Sequence, residues 1–192
     1  CSSDLASRIV SVKLQDDAIA NELLKNSKER AENLMIVDLM RNDFSIVSEA
    51  ESVTVSRLFD IESYSTVHQL VSTVEGQLSA DATAIDALAA CFPGGSMTGA
   101  PKPRAIQLIR EFENERRGIY SGVLGYLGSD GSAEFGMVIR SLIFEMSDDV
   151  YEVSLGIGGG ITIDSDPNAE LAETELKAKA FMDALGVASP WR

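Results

Sequence analysis

The sequence is poor in cysteine, in histidine and in positive charge. Its two cysteines, Cys1 and Cys91, have neither a metal-ligand nor a redox spacing, and a reducing, cytoplasmic setting is expected. Only 16 Lys and Arg stand against 30 Asp and Glu, for a formal net charge of −14. That balance excludes a nucleic-acid binder, which needs clustered Lys and Arg to neutralise phosphates. No run of about 18 apolar residues occurs, so no membrane span is expected. The chain also lacks an initial Met and a signal-like apolar stretch, opening instead with Cys1-Ser2-Ser3. It is therefore expected to be a piece of a longer protein.

What is present is a foldable chain. At 192 residues and 45% apolar composition, one domain is the prior and intrinsic disorder is excluded. A chain longer than about 150 residues buries roughly 70% of its unfolded surface.

The patterning predicts one helix over 16–40, capped by Asp16 or Asp17, with an apolar second half buried on more than one face and an end at Arg41-Asn42-Asp43. Extended segments are predicted over 53–59 and 64–78. In the second, His68, Leu70, Ser72 and Val74 share one parity and so one face. Asp81 is expected to cap a short helix to Ala90. A loop over 91–100 leads to a helix over 101–116 that starts at Pro101, faces Ile106, Ile109 and Phe112 or Leu108 inward, and stops at Gly118. Strands over 119–127, 135–144 and 150–155 follow, with turns at Gly128-Ser129-Asp130-Gly131 and Ser147-Asp148-Asp149. A short strand over 161–163 precedes a helix from Asp166-Pro167 to Leu185, stopped by Gly186. Sequential, hairpin-linked strands favour antiparallel sheets with packed helices, an α+β class.

Several residues carry chemistry. Gly94 to Gly99 has phosphate-loop spacing, but Ala100-Pro101 follows where Lys and Ser or Thr are needed. Gly156-Ile157-Gly158-Gly159-Gly160 likewise lacks the dinucleotide fingerprint. Either loop can still offer backbone N–H groups to an anion or form an ordinary turn. Glu170 and Glu173 share one helix face. With Glu32, set in an apolar helix, they could hold Mg²⁺, or form a solvated face with Glu173–Lys177 and Glu175–Lys179 pairs. His68, the only histidine, reads either as a satisfied structural side chain or as a proton-transfer group. Arg140, within the run Met137 to Ile143, needs an anionic partner, either an acidic residue or a ligand.

The motifs then resemble a known family. Ala31-Glu32-Asn33-Leu34-Met35-Ile36-Val37-Asp38-Leu39-Met40-Arg41-Asn42-Asp43 resembles the signature helix of the chorismate-binding enzymes. Val67-His68-Gln69-Leu70-Val71-Ser72-Thr73-Val74, Phe92-Pro93-Gly94-Gly95-Ser96-Met97-Thr98-Gly99-Ala100-Pro101-Lys102 and Gly122-Val123-Leu124-Gly125-Tyr126 follow in family order. Val138-Ile139-Arg140-Ser141, Gly158-Gly159-Gly160-Ile161, Glu170-Leu171-Ala172-Glu173-Thr174 and Lys177-Ala178 complete the set. The blocks cover residues 16–186, expected as the C-terminal portion of the catalytic domain, between an irregular segment 1–15 and a tail 187–192. The forms around Ser96-Met97-Thr98 and Tyr64-Ser65-Thr66 are similar to component I of aminodeoxychorismate synthase rather than of anthranilate synthase.

The resemblance implies amination of chorismate to 4-amino-4-deoxychorismate, on the way to 4-aminobenzoate and folate, with ammonia from a glutamine amidotransferase subunit or fused domain. It implies Mg²⁺ on Glu32, Glu170 and Glu173, and a substrate carboxylate on Arg140, Tyr126 and the backbone of Gly158, Gly159 and Gly160. Ser96, Thr98, Gly99 and Ala100 would line the pocket, Lys102 would stand beside it, and His68 would sit near the leaving hydroxyl as a proton donor or hydrogen-bond partner. One departure stands out. The Pro-Ile-Lys-Gly-Thr motif of aminodeoxychorismate synthases, whose lysine is the proposed nucleophile, has no match in residues 1–15. The alternatives are therefore anthranilate synthase component I, or a fragment that binds chorismate without turning it over.

Overall fold

A computed structural model describes residues 2–8, 13–64, 67–188 and 190–191, with side chains described from residue 16 onward. Residues 1 and 9–12 of the expected irregular segment, Ser65 and Thr66 of the family stretch, and Ser189 and Arg192 of the expected tail lie outside the described residues. The chain divides into two compact units, Cys1–Phe112 and Glu113–Arg192. The boundary falls in the polar run Glu113-Asn114-Glu115-Arg116-Arg117, which has no apolar face to bury.

The first unit is a three-stranded antiparallel sheet covered by helices. Strand β1 (Ser2–Arg8) and strand β2 (Thr54–Ser63) flank the central strand β3 (Val67–Glu75). Residues 2–8 thus form a strand, where an irregular segment was expected; pairing with β3 supplies the order that their own pattern does not signal. The parity reading of β3 holds for three positions: His68, Leu70 and Ser72 are 2%, 0% and 3% exposed.

The single helix expected over 16–40 is two helices, α1 (Lys13–Lys25) and α2 (Ser27–Ser45). Asn26 breaks them. Its backbone is extended at ψ 116°, and its side-chain oxygen accepts from the N–H groups of Lys28 and Glu29, capping α2. Helix α2 continues past Asp43, because nothing in Arg41-Asn42-Asp43 stops a helix whose inner face still packs.

Helix α2 lies on β3 and buries Asn33, Ile36 and Val37 there. Asn33 is the polar centre of that contact. Its amide nitrogen donates to the Leu70 carbonyl at 3.3 Å, and its oxygen accepts from the Ser72 hydroxyl at 2.5 Å. Ser72 in turn accepts from the N–H of Phe59 at 3.0 Å. That bond sits at a bulge in β2, where Arg57 faces Thr73 and Asp60 faces Val71.

Thr83, not Asp81, caps the next helix, α3 (Ala84–Cys91). It does so through a capping box with Asp86, which takes the cap two residues further on. The glycine-rich stretch contains a single helical turn, α4 (Gly95–Thr98), and α5 follows over Lys102–Phe112. Helix α5 ends earlier than expected. Ile106, Leu108 and Ile109 are half-buried, while Phe112 is exposed.

The second unit holds two separate hairpins and a helix. Strands β4 (Val123–Leu127) and β5 (Ala133–Met137) pair through the expected turn, as do β6 (Leu142–Ser147) and β7 (Val150–Leu155). The continuous strand expected over 135–144 is interrupted, because the chain turns at Arg140 with φ +49°. No strand forms over 161–163, where Thr162 and Ser165 close a turn instead. The last helix, α6 (Pro167–Leu185), matches expectation closely. Asp166 caps its start and Gly186 ends it at φ +67°.

Asn33→Ala is expected to destabilise the chain by about 1–3 kcal/mol, because it removes two buried hydrogen bonds, the one it accepts from the Ser72 hydroxyl and the one it donates to the Leu70 carbonyl. Urea unfolding of this chain beside the wild type measures it.

Candidate functional site

The first unit carries His68 at the hairpin that joins β2 to β3. Ser63 pairs with His68 across the hairpin, and its hydroxyl oxygen lies 2.8 Å from Nδ1. On the other side, an Asp16 carboxylate oxygen from the first turn of α1 lies 2.9 Å from Nε2. Both ring nitrogens are therefore engaged in a side chain that is 3% exposed. Asp16 does not cap its helix, which begins at Lys13; its carboxylate serves His68 instead.

Lys102, at the start of α5, points to α2. Its ammonium contacts Asp43 at 2.6 Å and the Cys91 carbonyl at 3.3 Å. Asp43 is 4% exposed, so this is a largely buried ion pair holding α5 to the end of α2. Half-burial pushes the Cys91 thiol above its ordinary range, the Asp43 carboxylate pushes it further, and Lys102 opposes the rise. Gly95 lies against the same helix: a Cβ there would stand 2.8 Å from Leu39 Cδ1. The family block is therefore close-packed at Gly95, while Ser96 and Ala100 are exposed and Thr98 donates to the Gly94 carbonyl at 3.1 Å. Gly99, at φ +114°, supplies the reversal between α4 and α5. Glu32 is half-buried on α2. A cavity of about 50 Å³ between α2 and β3, lined by Asn33, Ile36, Met40, Ser72 and Val74, has room for water but not for an organic acid.

The second unit brings the acidic pair to the glycine loop. Glu170, on α6, is 7% exposed. A Cβ on Gly159 would lie 3.5 Å from Glu170 Oε2 and 3.9 Å from Glu173 Oε1. Two carboxylates one turn apart thus face a loop that carries no side chain at that point. Lys177 pairs with Glu173 at 2.8 Å and donates to the Gly158 carbonyl at 3.2 Å. The expected Glu173–Lys177 pair is present. Lys179, one helix turn from both Glu175 and Asp183, bonds Asp183 at 2.8 Å, so the expected Glu175–Lys179 pair is replaced.

Tyr120, to which the sequence patterning gives no prominence, supports the other side of the loop. Its ring occupies the space a Cβ on Gly156 would need, and its hydroxyl lies 2.9 Å from a Cβ on Gly158. Arg117 lies over that ring at 5.8 Å and is fixed by Glu113 at 2.6 and 2.8 Å. Arg117 holds the Glu113 carboxyl below its usual range, against the opposing effect of burial.

One sequence reading changes here. Arg140 is exposed, at a turn between hairpins rather than at a strand centre, so burial does not demand its anionic partner. Tyr126 is 57% exposed on β4, with its hydroxyl 3.4 Å from Glu134. The structure brings Glu170, Glu173 and the loop of Gly158, Gly159 and Gly160 together in one unit; Glu32, His68 and Lys102 belong to the other. Among the described residues, no three His, Cys, Asp or Glu side chains gather as a metal-ligand group. No helix among them is long and apolar enough to cross a membrane.

The partners that sequence reading passes over are Asp43, Asp16, Ser63 and Tyr120. Asp43 lies inside the quoted motif, and the apolar run before it signals its burial. Ser63 follows from hairpin arithmetic once the two strand ends are known. Asp16 and Tyr120 reach their partners through tertiary packing, for which spacing gives no sign.

Lys102→Met is expected to destabilise the chain by about 3–5 kcal/mol, since it leaves Asp43 buried without its partner. It should also slow alkylation of Cys91 at fixed pH, because the charge opposing the raised thiol pKa is gone. Thermal unfolding and peptide-resolved iodoacetamide labelling measure the two effects.

Comparison with known proteins shows the family and the fold. The model of the chorismate binding enzyme family matches residues 10–183. An aminodeoxychorismate synthase from Streptomyces pristinaespiralis is 47% identical over 171 residues, which are 89% of this chain and 23% of that protein. Anthranilate synthase component 1 from Synechocystis is 46% identical over 172 residues, 89% of this chain and 34% of that protein. The chain thus spans about a quarter to a third of the length of these curated relatives. Among solved structures, anthranilate synthase component I from Streptococcus pneumoniae superposes with a TM-score of 0.76 at 38% identity, covering 93% of this chain and 41% of that one. The menaquinone-specific isochorismate synthase from Escherichia coli gives 0.79 at 25% identity, covering 94% and 40%. With its α+β fold and its ordered motifs, this chain belongs to the chorismate-binding enzyme family.

Proposed function

We propose that this chain supplies part of the active site of an aminodeoxychorismate synthase, converting chorismate and ammonia to 4-amino-4-deoxychorismate in a cytoplasmic route to folate. The form of the block from Phe92 to Lys102, with Gly95-Ser96-Met97-Thr98, carries this choice within the family. Overall identity does not, being 47% to one class of relative and 46% to the other. Anthranilate synthase is therefore the second reading.

The acidic pair fits a hard divalent cation. Glu170 and Glu173 present carboxylate oxygens to a loop without a side chain at Gly159, and oxygen donors of this kind suit Mg²⁺. Glu32 is the proposed third ligand. When bound, Mg²⁺ would offset the repulsion between the acidic pair and a substrate carboxylate. Arg140 and Tyr126 are the proposed carboxylate contacts, with backbone N–H groups at Gly158 to Gly160. Tyr120 and Lys177 hold that loop in place. Thr98 and Gly99, beside Ser96 and Ala100, shape the pocket wall on the first unit. Lys102 keeps that wall attached to α2 through Asp43. His68 is the proposed group that transfers a proton at the departing hydroxyl. Ammonia would come from a glutamine amidotransferase partner.

Incubation of the native polypeptide with chorismate, ammonia and Mg²⁺, followed by product chromatography, tests the choice. 4-Amino-4-deoxychorismate is the expected product; anthranilate would overturn it in favour of the second reading. Arg140→Ala is expected to weaken chorismate binding by about 1.5–3 kcal/mol, the range for a charge-assisted contact, as read by calorimetric titration. Unchanged affinity would remove Arg140 from the site.

A further inference from the structure

We infer that Asp16 is a positioning residue for His68: it fixes the imidazole with its proton on Nε2 and leaves Nδ1 as the basic nitrogen. The inference rests on the reading of His68 given under Proposed function, and it adds a second residue and a defined tautomer to it.

The geometry leaves little freedom. A carboxylate can only accept hydrogen bonds, so the 2.9 Å contact from Asp16 to Nε2 requires a proton on Nε2. In the neutral ring, Nδ1 is then unprotonated and accepts from the Ser63 hydroxyl at 2.8 Å. The opposite tautomer would set two acceptors, Nε2 and the carboxylate, against each other at 2.9 Å in a site where the His68 side chain is 3% exposed. Burial makes such a clash costly, because water cannot relieve it.

The three groups come from three elements. Asp16 comes from the first turn of α1, Ser63 from the end of β2, and His68 from the start of β3. Asp16 is partly buried, with its side chain 24% exposed, whereas Ser63 is exposed. Among the described residues, Asp16 covers the ring on the Nε2 side, and Nδ1 is the nitrogen that a ligand would reach, either by displacing the Ser63 hydroxyl or by using it as a relay. A carboxylate on one ring nitrogen is the arrangement that orients a catalytic histidine.

His68 is the only histidine of the chain, so its ring nitrogens are read without ambiguity after ¹⁵N-histidine labelling. Two-bond proton–nitrogen correlation spectra of this chain should show a protonated Nε2 and an unprotonated, hydrogen-bonded Nδ1. Asp16→Ala should shift the ring to a mixture of tautomers, while Asp16→Glu should keep the wild-type pattern. A wild-type ring protonated on Nδ1, or an Asp16→Ala spectrum unchanged from wild type, would overturn the inference. The wild-type spectrum alone decides if Asp16→Ala does not fold.

Kinetics of the native polypeptide separate this inference from the reading beneath it. Asp16→Asn should lower kcat on the order of 10²-fold with KM little changed, the scale of a general acid–base contribution, and Asp16→Glu should recover part of it. A fully active His68→Gln would sink the role of His68 itself. A crippled His68→Gln beside an unaffected Asp16→Asn would sink only the role of Asp16.

Discussion

The first unit depends on one buried amide. Asn33 joins α2 to the central strand by using both ends of its side chain, one on the Leu70 carbonyl and one on the Ser72 hydroxyl. A polar side chain 2% exposed is tolerable only when its hydrogen bonds are satisfied, and then it fixes register as apolar packing alone does not. The bond to Ser72 reaches a third element, because Ser72 also accepts from the bulge at Phe59. With α2 seated, the same strand face presents Leu70 to the core and His68 to Asp16. The alignment of His68 is thus a consequence of the packing that Asn33 sets.

A second buried polar contact, Asp43 with Lys102, does for α5 what Asn33 does for α2. Both lie within motifs shared with the family, and both pin a loop or helix that carries candidate site residues. In the second unit the corresponding supports are Tyr120 beneath Gly156 and Gly158, and Lys177 between Glu173 and the Gly158 carbonyl. Glycine is required at position 156 because the aromatic ring leaves no room for a Cβ. The glycine loop is therefore a packed feature, shaped from both sides, that faces the two carboxylates.

Much of this is legible in the sequence, and the reasons differ by element. The α6 boundaries follow from Asp166-Pro167 and Gly186, since caps are local chemistry. The face of β3 that buries His68, Leu70 and Ser72 follows from alternation, whereas the burial of Val71 on the opposite face does not. The break at Asn26 is signalled only by the capping spacing of Asn26 and Glu29, which the good helix formers on both sides obscure. The turn at Arg140 goes unsignalled because an apolar run reads as strand unless a glycine or proline interrupts it. The family motifs locate Glu170, Glu173 and Gly158 to Gly160 directly in the amino-acid order. Asp16 and Tyr120 gain their roles only when distant segments of the chain fold together.

The net charge of −14 sets the hardest requirement on the proposed activity. An acidic chain is proposed to hold a substrate that itself carries carboxylates, and the buried Glu170 adds to the repulsion. Divalent metal on the acidic pair is the proposed answer. Calorimetric titration of the native polypeptide with chorismate, in the presence and absence of Mg²⁺, tests this most directly. Binding should need the metal and should weaken in Glu170→Gln; equal affinity with and without Mg²⁺ would contradict the proposal.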